Sequence, residues 1–429
     1  MIRDISANSR SSSLLLFLSV LGFVVFFQPQ EYALSTGLFR FSQAVICLVS
    51  ATALLAFFTK CKMTIRWASF CLFYIAFYCL STLLGNADGT FISCLYSALK
   101  GVGFVTLCEF LLQIDRRIML KAFCIAGALM CSFHLMTVFL YWDIPGGMRY
   151  GYIASGLGAT TATIQNWYLL TYDNESIMYF LPVICAMVIY GLNYSKVSMY
   201  GAFVLTAVVG YTYIAKEAAA ASVALITFLL LILLISVLCR GGLTPNCLYR
   251  TVCYIGLLGC AFVLIAIGSG IMTDIALALG RSSDFSGRSF IWEKAIKLFA
   301  QAPLFGQGID QTVTTFLKIG QTHCHNIALE ILYTGGLTAF SFLIIGIIAS
   351  SPNRRPMSRR TDIVLASAIV SFFMAACMDW YPSIPIPFIL FMLAQNTTIS
   401  VDSCSAESTR QQLQPKHTRI GLYAHRLER

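Results

Sequence analysis

Charged residues are scarce in this sequence. Only 11% of its 429 residues are Asp, Glu, Lys or Arg, whereas 58% are hydrophobic, and the mean hydropathy is +0.77. Soluble domains carry about 25% charged residues, and a soluble core of this size could not bury so much apolar surface. The composition therefore excludes a soluble globular protein and predicts an integral membrane protein.

Motifs of the common hydrolases and metalloenzymes are also lacking. The sequence has no His-Glu-x-x-His, no Gly-x-Ser-x-Gly, no phosphate-binding P-loop and no Asp-x-Asp pair for a divalent metal. It has 16 cysteines but no Cys-x-x-Cys pair, and nearly all of them fall in apolar runs or on the predicted cytoplasmic side. This pattern excludes a disulfide framework and a zinc site, and we expect no metal or other cofactor.

Long apolar runs recur along the chain, and in lipid each run must close its backbone hydrogen bonds within its own helix. The first run follows Arg3 and Arg10, as in a signal peptide, but no small-x-small cleavage site follows it. We predict an all-α polytopic membrane protein whose membrane domain covers residues 1–400. Its transmembrane helices, about twelve, are predicted at 13–27, 38–58, 67–84, 91–112, 118–142, 176–192, 197–215, 218–238, 251–268, 326–349, 363–378 and 386–400.

Basic residues are distributed unevenly between the connecting segments. With the N-terminus in the cytoplasm, the inner segments hold 20 of the 29 Lys and Arg residues but only 6 of the 19 acidic residues, in accord with the positive-inside rule. Both termini are then cytoplasmic, and the basic tail 401–429 is predicted to be disordered. The net charge of +10 belongs to this inner face, and we predict no nucleic-acid partner.

Two long segments, 143–175 and 269–325, lie on the outer side in this topology. The second contains an amphipathic stretch from Ile291 to Ala302, which Pro303 ends. We interpret this stretch as a short helix that lies on the membrane surface or covers a cavity.

Two of the five histidines, His323 and His325, face the outer compartment. They precede Asn326, where an apolar helix begins, and Glu330 lies one turn further on the same helix face. The positive end of a helix dipole lowers the pKa of a nearby imidazole, and a neutral imidazole can act as a general base. The alternative is that these histidines only cap the helix or lie at the interface.

The outer side has few cations. Arg149 lies in the first long segment, Arg281 and Arg288 lie in the second, and Lys216 lies beside Glu217 in a tight outer turn. Guanidinium groups match the geometry and charge of phosphate oxygens, so cations that converge beside a membrane would suit a diphosphate-linked lipid. The alternative is ordinary interfacial anchoring, with Lys216 paired to Glu217.

Several short motifs follow one another between residues 287 and 345. They are Gly287-Arg288-Ser289-Phe290-Ile291-Trp292, Ala302-Pro303-Leu304-Phe305-Gly306-Gln307-Gly308, His323-Cys324-His325-Asn326 and Gly335-Gly336. In this order and spacing they resemble the O-antigen ligase and polymerase superfamily. These bacterial inner-membrane proteins transfer glycans from undecaprenyl diphosphate on the periplasmic side.

The resemblance implies a GT-C-like membrane fold with a large periplasmic loop between the ninth and tenth helices. It implies that His325 activates the acceptor hydroxyl, that Arg288 and Arg149 bind the donor diphosphate, and that membrane lipids surround the protein. Lys216 stands where the family often has an arginine, so it keeps the charge but not the bidentate fork. Arg281 is a further candidate for the diphosphate, and the candidates for supporting roles are His323, Asn326, Glu330 and Asp379.

The implied reaction is transfer of O-antigen polysaccharide from its undecaprenyl-diphosphate donor to a lipid A–core acceptor. An O-antigen polymerase, which joins repeat units on the same carrier, is the nearest alternative, and a protein O-oligosaccharyltransferase is a more distant one. A lipid-linked glycan flippase or another transporter is an alternative of a different class. Transporters, however, usually carry their ionisable residues near the bilayer midplane.

Overall fold

Every apolar run predicted as a span contains an α-helix in the computed structural model. The structure describes residues 9–29, 36–85, 87–149, 153–154, 163–164, 166–238, 245–268, 288–351, 359–377 and 382–395. The helices are α1 (Ser9–Phe26), α2 (Thr36–Lys60), α3 (Ile65–Leu84), α4 (Phe91–Ile114), α5 (Arg116–Leu140), α6 (Ile177–Asn193), α7 (Lys196–Ala215), α8 (Ala219–Leu238), α9 (Pro245–Gly268), α10 (Arg288–Gln301), α11 (Thr312–Ile319), α12 (Ile327–Ala349), α13 (Arg359–Ala376) and α14 (Phe388–Gln395).

The structure corrects the prediction at several elements. The segment 269–325, predicted as a loop with one short helix, contains two helices, α10 and α11. α9 begins at Pro245 rather than at residue 251, and α3 contains a π-helical segment at Ile75–Leu80. In the first outer segment, β1 (Ile153–Ala154) pairs antiparallel with β2 (Thr163–Ile164), an addition to the all-α prediction. The predicted tail 401–429 lies outside the described residues.

Seven helices among the described residues are long and apolar enough to cross a membrane. They are Gly37–Lys60, Ile65–Leu84, Phe91–Ile114, Arg116–Leu140, Lys196–Ala215, Ala219–Val237 and Ile327–Ala349. Two shorter apolar helices, Ser12–Phe26 and Ile177–Asn193, accompany them. The chain is therefore a multi-pass membrane protein, while the count of twelve spans and the sides of the loops stay predictions.

Polar residues between the apolar runs begin the helices. Asp115 separates α4 from α5, and its carboxylate accepts hydrogen bonds from the N–H groups of Arg117 and Ile118. Thr64 caps α3 in the same way through the N–H of Trp67. A side-chain oxygen at this position satisfies N–H groups that have no partner within the helix.

The helices divide into a buried set and a set whose apolar surface is exposed. α6 is buried along nearly its whole length, from Ile177 to Met187 without interruption. α2, α7 and α8 instead expose large apolar side chains, among them Leu55, Phe203 and Leu233, each more than 60% accessible. Such a surface would aggregate in water, whereas in a bilayer it contacts lipid.

A buried ion pair joins α3 to α4. Arg66 and Glu109 contact each other and are each 1% exposed. Arg66 Nη1 also donates to the carbonyl of Met392 in α14 (2.9 Å), and Thr64 Oγ1 donates to Glu109 Oε1 (3.1 Å). A buried charge is tolerated only when it is paired and hydrogen-bonded, and this pair meets both conditions.

Candidate functional site

α12, the helix that follows the two outer histidines, is broken at a glycine. Gly336 has a non-helical backbone (φ 65°, ψ −169°), so two hydrogen bonds of the helix, from Leu337 to Tyr333 and from Thr338 to Thr334, cannot form. The loop 303–308 satisfies the four groups that this break leaves. The bonds are Gln307 N–H to Tyr333 O (2.7 Å), Gly308 N–H to Thr334 O (3.0 Å), Leu337 N–H to Pro303 O (2.9 Å) and Thr338 N–H to Leu304 O (3.0 Å).

Glycine is required on both sides of this contact. A Cβ at Gly306 (φ 71°) would lie 2.4 Å from the carbonyl oxygen of Thr334, and a Cβ at Gly336 would lie 2.4 Å from that of Leu304. The Pro-x-x-Gly-x-Gly and Gly-Gly motifs are therefore two halves of one structural unit.

The same loop ties α12 to the end of α3. Ile309 N–H donates to Thr82 Oγ1 (3.2 Å), and Gly89 N–H donates to the carbonyl of Ile309 (3.0 Å). From Thr334, at this contact, to Asn326 the helix rises about 12 Å at 1.5 Å per residue. The first two turns of α12 thus extend beyond the contact with α3 and carry the histidine loop at their tip.

One residue of the histidine loop points inward and is held from two sides. The Cys324 side chain is fully buried in an apolar cluster with Trp292 and Leu329. Trp292 Nε1 of α10 donates to the carbonyl oxygen of Cys324 (2.6 Å), and Cys324 N–H donates to Glu330 Oε2 of α12 (2.7 Å). Burial, assisted by the Glu330 carboxylate, raises the pKa of the Cys324 thiol well above its usual range, which disfavours the reactive thiolate.

The two outer histidines flank this buried cysteine. Their ring centres lie 4.0 Å apart, both residues are partly exposed, and Thr322 Oγ1 lies 3.1 Å from His323 Nδ1. His325 has a left-handed backbone (φ 49°), which is uncommon for a residue other than glycine. Asn326 caps α12 by accepting a hydrogen bond from Leu329 N–H (3.1 Å), so the helix is capped by the residue after His325 rather than by a histidine.

His134, a histidine within α5, has a different environment. It is 2% exposed within α5, and its Nδ1 accepts a hydrogen bond from Leu170 N–H (3.1 Å). Its ring packs edge-on against Tyr168 and Phe180. These contacts join the first outer segment to the bundle and give His134 a structural role.

Arg288 is the first residue of α10 and is partly buried. α10 packs against α12, and Trp292, which contacts the histidine loop, follows Arg288 by four residues. Residues four apart share one face of a helix, so Arg288 lies on the face of α10 that meets this loop.

Lys216 belongs to a second cluster, around the first outer segment. Its ammonium group donates to the carbonyl of Trp142 and lies 4.1 Å from the centre of the Trp142 ring. Burial lowers the pKa of Lys216, although Asp143 and Asp173 oppose this shift. Burial also raises the pKa of the Asp173 carboxyl to about 6. Lys216 therefore contacts the outer segment and does not depend on Glu217 for a partner.

Arg149 lies in the same outer segment, where its guanidinium carbon is 3.6 Å from the centre of the Trp167 ring. An arginine over an aromatic face is attracted by the ring's negative potential. The segment is held by hydrogen bonds of Gly146 and Met148 to Asn166 and Trp167. An approach of Arg149 or Lys216 to His325 stays a prediction.

The structure thus brings together His323, His325, Asn326 and Glu330, with Arg288 on the neighbouring face of α10. Arg281 and Asp379 lie outside the described residues. Sequence reasoning missed the roles of Trp292 and Cys324. The spacing of Trp292 four residues after Arg288 could have revealed the first, but the inward side chain of Cys324 depends on contacts between distant segments.

A family model matches part of this membrane protein. Residues 178–344 match the family model described as O-Antigen ligase. The match runs from α6 into α12 and includes Lys216, Arg288 and His325, whereas Arg149 and Asp379 lie outside it. The resemblance seen in the sequence is thereby confirmed over residues 178–344, which are similar to the O-antigen ligase family.

This similarity supports an enzyme with an O-antigen ligase or polymerase type of activity. Such enzymes resemble glycosyltransferases and act on lipid-linked glycans. No curated protein matches the chain.

Proposed function

We propose that this protein is an O-antigen ligase of the bacterial inner membrane. It transfers O-antigen polysaccharide from undecaprenyl diphosphate to lipid A–core at the periplasmic face. The observation that supports this proposal best is the position of His325. It is partly exposed at the tip of α12, beside His323, on a loop held by hydrogen bonds from α10 and α12.

In the proposed reaction His325 accepts the proton of the acceptor sugar hydroxyl. The acceptor oxygen then forms a bond to the anomeric carbon of the donor while the bond from that carbon to the diphosphate breaks. Undecaprenyl diphosphate leaves with the electron pair. Because attack and departure occur on opposite faces, the anomeric configuration inverts.

The charge of the departing diphosphate is stabilised by cations rather than by a metal in this proposal. Arg288 is the first of them, since it shares a helix face with Trp292, which contacts the histidine loop. Arg149, Lys216 and Arg281 are the others, and the first two are partly buried beside Trp167 and Trp142. Hydrogen-bond donors that are preorganised near developing negative charge increase the rate of a reaction by roughly 100-fold or more.

Replacement of His325 by alanine tests the proposed base. We expect loss of O-antigen from lipopolysaccharide and accumulation of polysaccharide on undecaprenyl diphosphate, while the amount of protein in the membrane stays normal. His425→Ala, in the predicted cytoplasmic tail, is the matched control and should cap lipopolysaccharide as the wild type does. Normal capping in the His325→Ala strain would refute the assignment.

A deletion strain separates the ligase from the polymerase. Loss of a ligase leaves long chains on the lipid carrier, whereas loss of a polymerase yields lipopolysaccharide with a single repeat unit. The transporter alternative is tested with purified protein, which should join glycan to lipid A–core in detergent, where no ion gradient exists.

A further inference from the structure

One of the two hydrogen bonds to Cys324, the bond from Trp292 Nε1 to its carbonyl, acts on the backbone of the next residue. The carbonyl of Cys324 and the N–H of His325 belong to one planar peptide group. Rotation of this plane about the N–Cα bond of His325 is the φ angle of His325. By holding the Cys324 carbonyl at 2.6 Å, Trp292 Nε1 therefore fixes one side of that angle.

The other side of the angle is fixed by the helix. Asn326 is fully buried and caps α12 through Leu329 N–H (3.1 Å). His325 is thus confined between a held peptide and a capped helix, at a φ of 49°. A left-handed backbone costs a residue with a side chain about 1 kcal/mol, so it persists only where the surroundings hold it.

These two hydrogen bonds reach the backbone of Cys324 rather than the imidazole of His325. Trp292 is 1% exposed and Glu330 is 3% exposed, and both bond to backbone groups of Cys324. If the peptide were released, His325 would relax toward a negative φ, and its imidazole would swing to a different direction. A displacement of 1 Å at a reacting group can lower a rate about 100-fold.

We infer that Trp292 is a positioning residue of the transfer reaction, which it supports by holding the Cys324 peptide and thereby the direction of the His325 ring. Glu330 accepts a hydrogen bond from the N–H of Cys324 and so holds the preceding peptide, between His323 and Cys324. This inference rests on the proposed function of His325 as the base. Packing alone is the competing explanation, because Trp292 also fills an apolar cluster with Ile291, Ala295 and Leu329.

Trp292→Phe separates the hydrogen bond from the packing, since it keeps an aromatic ring and removes the indole N–H. We expect kcat for glycan transfer to fall about 10- to 100-fold, with KM for donor and acceptor unchanged. Trp67→Phe is the matched control. Trp67 is buried too, and its indole N–H donates to Thr106 Oγ1 (3.0 Å), so this variant loses the same kind of bond away from the histidine loop and should keep full activity.

Two substitutions at Glu330 provide a second arm. Glu330→Gln keeps an oxygen that can accept the Cys324 N–H and should retain most of the transfer rate, whereas Glu330→Leu removes the acceptor and should lower kcat as Trp292→Phe does. A measurement that does not depend on enzyme activity is the rate at which a membrane-impermeant maleimide labels Cys324. The buried thiol should react slowly in the wild type and in Trp67→Phe, and at least about tenfold faster in Trp292→Phe.

The outcomes distinguish the inference from the proposed function. If His325→Ala is inactive but Trp292→Phe has the kcat of Trp67→Phe, the positioning role is overturned and the base assignment stands. A loss of activity in Trp292→Phe that parallels a loss of protein from the membrane would also overturn the positioning role, because packing would then explain it. Full activity of His325→Ala would overturn both.

Discussion

Replacing Gly336 by alanine would put a methyl group where α12 meets the loop 303–308. The backbone of Gly336 (φ 65°, ψ −169°) lies in a region that essentially only glycine adopts. The added Cβ would lie 2.4 Å from the carbonyl oxygen of Leu304 and 2.5 Å from the nitrogen of Gly306. Either the loop must withdraw, or α12 must straighten and leave the loop's backbone groups without partners.

The magnitude follows from these two effects. The strained backbone contributes about 1–3 kcal/mol, and loss of the bonds from Leu337 and Thr338 to the loop contributes about 1 kcal/mol each. We therefore expect Gly336→Ala to lower the free energy of unfolding by roughly 3–5 kcal/mol. Transfer activity should fall as well, because the outer turns of α12 carry His325.

The assay compares thermal midpoints of the purified proteins in detergent, together with capping of lipopolysaccharide in cells. Gly259→Ala in α9 is the control, since a Cβ at that glycine meets nothing within 4 Å. In a helix this change should be neutral or slightly stabilising. The reasoning fails if Gly336→Ala melts at the same temperature as Gly259→Ala and caps lipopolysaccharide equally well.

Two further predictions concern buried charges. Arg66→Met leaves the Glu109 carboxylate buried without its cation and should lower the free energy of unfolding by about 3–5 kcal/mol, measured as a lower thermal midpoint. Arg66→Met combined with Glu109→Leu should recover much of this lost stability. An Arg66→Met variant as stable as the wild type would contradict the prediction. Burial raises the pKa of Asp173 from 3.8 to about 6, so the folded state binds the proton more tightly than the unfolded state does. Wild-type stability should therefore fall relative to Asp173→Asn as pH rises from about 4 to about 6 and stay level above that; parallel melting curves over this range would refute the shift.

Local sequence was sufficient to predict most helices. A membrane helix satisfies its own backbone, so an apolar run of sufficient length identifies it without knowledge of its neighbours. An apolar run does not reveal where the backbone forms its hydrogen bonds with another segment. The break in α12 at Gly336 depends on four hydrogen bonds to residues about thirty positions earlier, and α11 was missed because it has only eight residues.

The candidate site was predicted in part. His325 and Arg288 were recognisable from their motifs and from the predicted side of the membrane, and the match of residues 178–344 supports the family from which their roles were drawn. Trp292 was recognised only as part of the motif Gly287–Trp292, and the sequence indicated no role for it. Its contact with the Cys324 carbonyl requires α10 to pack against α12, which no local pattern expresses.

By itself, the sequence determined that this is a helical membrane protein and that His323 and His325 stand at the start of an apolar helix, because hydropathy and helix capping act over a few neighbouring residues. The tertiary structure alone decided which groups hold those histidines. It paired the two glycine motifs across a broken helix, turned Cys324 inward and gave His325 a left-handed backbone. Each of these features depends on hydrogen bonds between segments that are distant in the chain, and such bonds form only when the helices pack.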